Sequence, residues 1–282
     1  MNIRNAKRKI FNVLSSKAIL DAKNEDIEFK KIWEVSQKAF PDLENHFTSV
    51  TLDNEAILRV RYLICGEVYF LKKIIEEFTR NRKTKECKYL DIGDSDGSVR
   101  LIMNKIMNEI KIDSLGINLQ TEAVNRVKAT GLKAECIDAM KMGKLGRKYD
   151  IVSLFETMEH LPDPIGFLDS MHDVVGERLV ISVPFIRRSR VGMQYLTDKW
   201  PKDKLPNIEN THIFELSPED WIKIFRHTGW KVEDQWKLLQ FPRRGILKYI
   251  MRYAWIKISF EGFWFVSLSK VIDKKMRKYC IE

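Results

Sequence analysis

The sequence has few cysteines and no long hydrophobic run, and each shortage excludes a class of protein. Only 4 of the 282 residues are cysteine, and no two of them form a CxxC pair. This usage favours a reduced, cytoplasmic setting. No uninterrupted apolar stretch reaches the roughly 18 residues that a membrane span requires. The basic segment at the N-terminus lacks the apolar core of a signal peptide, so we expect neither a span nor a leader.

The rest of the composition is that of an ordinary globular chain with an excess of positive charge. Hydrophobic residues make up 44% and charged residues 31%, and the formal net charge is +10, which together exclude a disordered chain. The excess is concentrated in the segment Phe241–Glu282, where ten Lys or Arg stand against three acids. Such a segment could contact nucleic acid, anionic lipid or a charged substrate, or it could be solvated surface, and these alternatives stay open.

The first third of the chain, residues 1–85, is predicted to be a helical N-terminal cap packed on the main domain. Apolar residues recur at helical spacing from Ile57 to Phe78. The polar run Thr79–Cys87 then predicts a linker to the main domain, which would comprise residues 86–282.

From Lys88 onward, short apolar strands alternate with helices. Helix boundaries are predicted from Thr121 as an N-cap, from Gly131 as a stop, and from Asp163 and Ser217, each followed by proline. The predicted strands are Tyr89–Ile92, Ser114–Ile117, Ala134–Ile137, Ile151–Phe155, Leu179–Val183, Lys231–Val232 and Gly262–Leu268. This alternation predicts an α/β fold, a doubly wound and mostly parallel sheet of seven strands. Insertions are expected near residues 186–210 and 241–261. Ligands of such sheets bind beyond the carboxyl ends of the strands.

The stretch Tyr89–Gly97 predicts a buried strand that ends in a sharp turn before a helix. Gly93 and Gly97 stand where the backbone would approach a ligand closely or adopt a positive φ angle. The turn also carries three carboxylates, at Asp91, Asp94 and Asp96. This acidity disfavours a dinucleotide, whose negatively charged pyrophosphate binds at a helix N-terminus. A cofactor that carries positive charge suits the turn better.

Four short motifs follow one another along the rest of the chain. They are Leu90–Gly97, Phe155–Pro164, Leu179–Pro184 and His212–Glu219. In this order they resemble the class I S-adenosylmethionine (SAM)-dependent methyltransferases, and most of all the ubiquinone-biosynthesis O-methyltransferases among them. The resemblance covers Lys88 to about Trp236 and, more loosely, Gly262–Leu268. It implies the Rossmann-like methyltransferase fold, SAM as cofactor and O-methylation. The implied cofactor-binding residues are Asp91, Gly93, Asp94, Ser95, Gly97, Asn118, Leu119, Asp138, Ala139, Met140 and Phe155.

Three of these positions keep an alternative open. Ser95 stands where the family usually has a middle glycine, and its small side chain lets the turn survive. Asn118 stands where the family usually has an acid that binds both ribose hydroxyls, and an amide lacks the roughly twofold strength of a charged acceptor. Asp138 would contact the adenine amine, or it would only cap a turn or helix. A catalytically weakened SAM-binding or partner-binding protein is therefore the alternative to an enzyme.

An acid–histidine group follows the predicted fourth strand. If a helical turn begins there, Glu156, Glu159 and His160 fall on one face, and His212 lies further along the chain. A similar arrangement is the magnesium site of small-RNA 2′-O-methyltransferases, so the resemblance implies a site for Mg²⁺ or another divalent cation at Glu156, Glu159, His160 and His212. Without a metal, Glu159, His160 and His212 are the catalytic candidates, with either histidine as the general base. A structural role for the group is the third interpretation.

The expected acceptor is a small molecule, a lipid-linked molecule or a glycan. Residues after the fifth predicted strand could line an anionic or glycan-like substrate, namely Arg187, Arg188, Arg190, Tyr195, Lys199 and Trp200. The segment Arg243–Phe260 interleaves basic residues with apolar and aromatic ones, which suits peripheral contact with an anionic membrane or RNA. A basic outer face over a buried apolar stripe is the alternative without a partner. No recognised RNA-binding module is present, so RNA is the less favoured acceptor.

Overall fold

The computed structural model describes residues 3–41, 43, 54–191, 212–240 and 262–271. The strands in these residues are β1 Glu86–Ile92, β2 Lys111–Asn118, β3 Ala134–Cys136, β4 Tyr149–Phe155, β5 Val175–Phe185, β6 Arg190–Val191, β7 Phe214–Glu215, β8 Trp230–Leu239 and β9 Gly262–Lys270. The α-helices are α1 Ile3–Ala22, α2 Ile27–Ala39, α3 Asn54–Arg82, α4 Ser98–Ile106, α5 Thr121–Ala129, α6 Pro164–Val174 and α7 Pro218–His227. Short 3₁₀ helices cover Ala139–Leu145 and Met158–His160.

The main sheet has seven strands in the order β3-β2-β1-β4-β5-β9-β8. The strands β1 to β5 pair in parallel, and β9 runs antiparallel to both of its neighbours, β5 and β8. All seven strands predicted from the sequence are present, so the α/β fold with a mostly parallel sheet is confirmed. The strands β6 and β7 form a separate two-stranded ribbon.

Helices cover both faces of the main sheet. One hydrophobic cluster joins α1, α2, α3 and α4 to the sheet, and a second joins α6 and α7 to the opposite face. The side chains of β9 alternate between them: Phe263 and Phe265 belong to the first cluster, and Trp264 and Val266 to the second. Successive side chains of a strand point to opposite faces, so this alternation is typical of a strand that is buried on both faces. The sheet is therefore doubly wound, as predicted.

The strand β8 is much longer than the two residues predicted for it. It begins at Trp230 and ends at Leu239, with a register shift between Val232 and Asp234. Charged and amide side chains occupy its exposed positions, and these residue types have low β-propensity. The strand lies at the edge of the sheet, where one partner strand, β9, imposes the extended backbone. Pairing with β9 therefore outweighed the low β-propensity of these residues.

The linker predicted at Thr79–Cys87 is wrong. The helix α3 continues to Arg82, and β1 begins at Glu86, so three residues connect them. Arg80 and Arg82 lie in the last turn of the helix, where positive charge is favourable. The prediction failed because the polar residues that end this helix and begin this strand have the composition of a linker.

The predicted helix boundaries, including the stop of α5 at Gly131, are confirmed except at the N-terminus of α5. The side chain of Asp163 accepts a hydrogen bond from Gly166 N at 2.8 Å, and that of Ser217 accepts one from Asp220 N at 3.3 Å. The residue that caps α5 is Gln120, not Thr121. The chain turns one residue earlier because the side-chain oxygen of Asn118 accepts a hydrogen bond from Gln120 N at 2.9 Å.

Two regions considered in the sequence are not covered by this description. The segment 241–261, which includes Arg243–Phe260, lies outside the described residues, as do Tyr195, Lys199 and Trp200 of the insertion near 186–210. Within the described ranges, no helix combines the length and the hydropathy needed to cross a membrane.

Candidate active site

In the turn between β1 and α4, the two glycines adopt the left-handed conformation that the sequence predicts. The φ angles of Gly93 and Gly97 are 86° and 77°, a conformation that favours glycine. A Cβ atom on Gly93 would lie 2.2 Å from Oγ1 of Thr157, in the chain that follows β4. Any larger residue there would displace that chain, so both conformation and space require glycine.

Two aspartates of the turn hold its backbone. One carboxylate oxygen of Asp94 accepts from Gly97 N at 2.8 Å, and one of Asp96 accepts from Ser98 N at 2.9 Å. The other oxygen of Asp94 binds the guanidinium of Arg100 at 2.5 and 2.9 Å. Both side chains of this pair are buried, at 4% and 0% exposed. These contacts fix the turn and the first turn of α4.

Arg100 is a part of the site that the sequence did not reveal. Its guanidinium also donates to Lys133 O at 2.9 Å, next to β3. The pair with Asp94 fills the space over Gly116, where a Cβ would lie 2.3 Å from the carboxylate and 2.4 Å from the guanidinium. Because Arg100 neutralises Asp94, the turn is less negative than its three carboxylates suggest. A glycine inside β2 and an arginine in a short apolar helix were the signals available.

The two departures from the family's pattern have different structural settings. Ser95 is exposed and does not have a positive φ angle, so its backbone is unstrained. Asn118 forms a hydrogen bond on each side: its amide nitrogen donates to Asp94 O in the glycine turn at 3.2 Å, and its oxygen accepts from N of Gln120, the N-cap of α5. The asparagine therefore ties the end of β2 to the glycine turn, a role that an acid could fill only in part because it lacks the N–H donor.

Asp91, at the carboxyl end of β1, is held by a buried chain of hydroxyl groups. Oγ of Ser153 donates to Asp91 at 2.6 Å and lies 2.6 Å from the Tyr89 hydroxyl. Burial, and secondly the negative charge of Asp94, raise the pKa of Asp91 to about 7, although the Ser153 bond opposes this. A carboxyl group that ionises near neutrality becomes the anionic partner of a cationic group that binds beside it.

The remaining cofactor candidates lie at the carboxyl ends of the neighbouring strands. Leu119 follows β2 and is 59% exposed, an apolar surface that a planar ring would cover. Asp138 caps the 3₁₀ helix through a 3.0 Å bond from Met140 N, which is the alternative that the sequence left open for it. Phe155 ends β4 and makes an edge contact with Phe265. Ala139 begins the capped helix and is half-buried.

Three members of the acid–histidine group come together after β4. Potential ligand atoms of Glu159, His160 and His212 lie within 4.8 Å of one another. The two imidazole rings pack edge to face, with centroids 4.8 Å apart. Ile213 N donates to Glu159 O at 2.8 Å and so anchors the distant histidine beside the glutamate. The motif that begins at His212 thus joins residues that lie about fifty positions earlier in the sequence.

Glu156 is not part of this cluster, so the helical face predicted for it is wrong. The 3₁₀ helix begins only at Met158, and Glu156 precedes it with a φ angle of 44°. Its carboxylate instead accepts from the hydroxyl of Ser182 at 2.9 Å, and its N–H also points at Ser182. A left-handed glutamate is a strained conformation that costs of the order of 1–3 kcal/mol and is found mostly at functional sites.

The carboxylate of Glu159 is buried without a hydrogen-bond partner in the described part of the chain. The residue is 1% exposed, and both carboxylate oxygens lack a partner. Burial, and then the negative charge of Glu156, raise its pKa well above the ordinary value, with His212 acting in the opposite direction. An orphaned buried carboxylate is costly. A cation or a hydrogen-bond donor on a bound molecule would satisfy it.

Two further carboxylates belong to this environment and were missed in the sequence. Glu67 of α3 is 6% exposed, and burial together with the charges of Asp91, Asp96 and Glu159 raises its pKa. Glu215 of β7 is 9% exposed and accepts from Nδ1 of His212 at 2.8 Å. No periodicity distinguishes these glutamates from surface residues of their elements.

The fold and this site together define a class of protein. The sheet order, the antiparallel β9, the glycine turn after β1 and the acidic edge at the carboxyl ends of the strands are those of the class I SAM-dependent methyltransferases. A family model described as a methyltransferase domain matches residues 61–235, which is more than half of the chain. The chain belongs to this methyltransferase domain family, and the protein is a SAM-dependent methyltransferase enzyme.

Comparison with known proteins supports the fold. An O-methyltransferase from a trans-AT polyketide synthase multienzyme of Brevibacillus brevis, solved with S-adenosyl-L-homocysteine (SAH), shares 14% identity at a TM-score of 0.53, covering 88% of this chain and 82% of that one. The 1,6-didemethyltoxoflavin-N1-methyltransferase of Burkholderia thailandensis, solved with SAH and 1,6-didemethyltoxoflavin, shares 11% at 0.52, covering 84% and 88%. At such identities the likeness shows the fold alone. No curated protein matches the sequence.

Cofactor binding is expected to strengthen as pH rises through neutrality. Below a pKa of about 7, Asp91 is protonated and cannot attract the ammonium group of the cofactor. The dissociation constant of SAH, measured by isothermal titration, should fall by up to about tenfold from pH 6 to pH 8. In an Asp91→Asn variant the affinity should be lower at pH 8 and nearly independent of pH. An equal pH dependence in both proteins would show that another group titrates.

The unpartnered carboxylate of Glu159 is expected to reduce stability at high pH. An acid whose pKa is raised in the folded state contributes stability that is present below the unfolded-state pKa and lost as pH rises through the folded-state pKa. Without ligand, Glu159→Gln should therefore melt at a higher temperature than the wild type at pH 8, and this gap should narrow toward pH 5. A gap in melting temperature that is the same at all pH values would contradict a buried, titrating carboxylate.

Proposed function

We propose that the protein transfers the methyl group of SAM to a hydroxyl oxygen of a small-molecule, lipid-linked or glycan acceptor. The observation that carries this proposal is the position of His212, which lies beside Glu159 and His160 and donates through Nδ1 to the carboxylate of Glu215. An alcohol must lose its proton as its oxygen is methylated, and a histidine held at such a site is suited to accept it. His160, whose ring contacts that of His212, is the second candidate base.

The charge of the site supports a neutral or cationic group at the reacting centre. Besides Asp91, buried or half-buried carboxylates of Glu67, Asp96, Glu156 and Glu159 surround the carboxyl edge of the sheet. Burial raises the pKa of the three glutamates well above the ordinary value. In their ionised form these groups would repel an anion placed among them, whereas a hydroxyl group can form hydrogen bonds with them in either protonation state.

The residues at the turn fit SAM. Gly93 and Gly97 shape the turn through their positive φ angles, Asp91 supplies a carboxyl group for the amino-acid end, and Leu119 offers apolar surface for the adenine. When bound, SAM supplies an activated methyl group, so alignment of the acceptor provides much of the rate. The chain's own contribution is to orient both molecules and to accept the acceptor's proton at His212.

The donor set beside His212 also fits a divalent cation. The orphaned oxygens of Glu159 and the nitrogens of two histidines are suitable ligands, and this is why we extend the proposal to Mg²⁺ or a related ion. Glu159, His160 and His212 would hold it; Glu156 would have to leave Ser182 to join them. A bound cation would lower the pKa of an acceptor hydroxyl.

The experiment is a transfer assay with SAM labelled in the methyl group. Phenols, sugars, lipid-linked glycans, RNA and amines are offered as acceptors, and mass spectrometry identifies the methylated atom. We expect O-methylated products; methylation of amines alone would overturn the O-methylation proposal. Full activity after treatment with EDTA would show that transfer requires no metal, and would leave the histidines as the candidate bases. A reversible loss of activity in EDTA would support the metal site.

A separate titration tests the alternative raised by Ser95 and Asn118, in which the protein is catalytically weakened and serves to bind SAM or a partner. A catalytically competent protein should bind both SAM and SAH. Binding without transfer to any acceptor would favour a SAM-binding role, and absence of binding to either would contradict the cofactor site itself.

Contact of Arg243–Phe260 with anionic membrane also stays a prediction. It is tested by charge reversal at Arg243 and Arg244 and by co-sedimentation with anionic vesicles.

A further inference from the structure

The ribbon formed by β6 and β7 carries a group that contacts the proposed base. In its register, Arg190 lies opposite Glu215, and His212 lies just before β7. One carboxylate oxygen of Glu215 lies 2.8 Å from Nδ1 of His212, and the other accepts from Nε of Arg190. The three side chains therefore form a chain in the order Arg190, Glu215, His212.

The protonation of this chain follows from its chemistry. Arg190 is always charged, so the carboxylate that it contacts is held in its ionised form. An ionised carboxylate can only accept hydrogen bonds, and therefore Nδ1 of His212 must carry the proton. In the neutral imidazole the lone pair then lies on Nε2, which is the nitrogen free to accept a proton or bind a cation.

The ribbon is anchored so that this chain keeps its position. Ile213 N donates to Glu159 O at 2.8 Å, which fixes one strand against the chain after β4. At the other strand, β6, the hydroxyl of the preceding residue Ser189 accepts a hydrogen bond at 2.9 Å from N of Ser217, which lies just before α7. Glu215 itself is 9% exposed, so water competes little for its carboxylate. Both ends of the ribbon are thus tied to elements of the main domain.

We propose that Glu215, supported by Arg190, is a positioning residue of the methyl-transfer site, which sets the Nδ1–H tautomer and the ring orientation of His212. The inference rests on the proposed function in assigning His212 a role in transfer. It holds whether Nε2 of His212 serves as a base or as a ligand, because both need the lone pair on that nitrogen.

Two measurements test the proposal. In protein labelled with ¹⁵N-histidine, two-bond ¹H–¹⁵N spectra at pH 9 report the tautomer of each neutral ring, and a His212→Gln spectrum assigns the signal. We expect the Nδ1–H form in the wild type. In Glu215→Gln, the amide can turn its NH₂ group toward the ring, so the Nε2–H form should appear and kcat should fall by about 10²-fold or more, with the SAH affinity unchanged.

The matched control is Glu219→Gln, which changes an exposed glutamate of α7 in the same way and should keep the wild-type tautomer and kcat. An Nε2–H signal in the wild type would overturn the proposal, and so would a Glu215→Gln variant with unchanged kcat and tautomer. If that variant does not fold, the wild-type spectrum alone decides. Because the spectra need no acceptor, a failure of O-methylation is distinguishable: the wild type would show the expected tautomer and yet methylate no hydroxyl.

Discussion

Replacing His212 by alanine should lower the kcat of methyl transfer by about 10²–10⁴-fold, the usual contribution of a positioned general base. The affinity for SAH should stay unchanged, because the glycine turn after β1, where we propose that the cofactor binds, does not involve this histidine. Its ring lies beside Glu159 and His160 and is held through Nδ1 by Glu215. Burial alone would lower the pKa of His212, but the bond to Glu215 and the charge of Glu159 raise it. The measurement is kcat in the transfer assay together with titration of SAH.

The control for this variant is His227→Ala, which removes an exposed histidine from the end of α7. It should leave both kcat and the SAH affinity at wild-type values. A fully active His212→Ala variant would contradict the assignment of the base and would move the role to His160, whose own replacement should then produce the loss.

Replacing Arg100 by methionine should destabilise the protein by about 3–5 kcal/mol, the cost of leaving one partner of a buried ion pair uncompensated. Asp94 would keep a buried charge with no cation beside it, although it caps Gly97 and holds the turn. The free energy of unfolding from urea titration measures the effect. SAH affinity should fall as well, because the same turn is proposed to receive the cofactor.

Two further variants make this result specific. Arg82→Met breaks an ion pair with Glu177 whose arginine is 63% exposed, and should leave the free energy of unfolding close to the wild-type value. In the double variant Asp94→Asn/Arg100→Met the buried charge is gone while an oxygen remains to cap Gly97, so stability should recover in part. A double variant as unstable as Arg100→Met alone would show that packing of the arginine, and not the charge of Asp94, dominates.

The glycine turn was predictable because its requirements are local. Positive φ angles at Gly93 and Gly97 follow from which residue can adopt them, and the strand before the turn is marked by its apolar run. Helix ends at Asp163 and Ser217 were predictable for the same reason, since a cap acts on backbone groups two or three residues away. Each of these signals needs no knowledge of the fold.

The parts of the site that were missed depend on residues distant in sequence. Arg100 lies over Gly116 because β1 and β2 are paired, and Glu67 faces the site because α3 packs on the sheet. Glu156 was placed wrongly because an i, i+3, i+4 pattern assumes a helix, and here the helix starts two residues later. A pattern of titratable residues does not indicate which of them the backbone will bring together.

The sequence by itself determined the α/β fold and the glycine turn, because strand alternation, glycines and caps act through nearest neighbours along the chain. The class of enzyme followed from the order of four motifs, which resembles that of the SAM-dependent methyltransferases. Only the tertiary structure decided which carboxylates are neutralised, which are orphaned and which of them binds His212. Asp94 is paired, Glu159 is not, and His212 binds Glu215. The physical reason is that burial and charge compensation arise from contacts between separate strands and helices, and these are fixed only when the sheet is assembled.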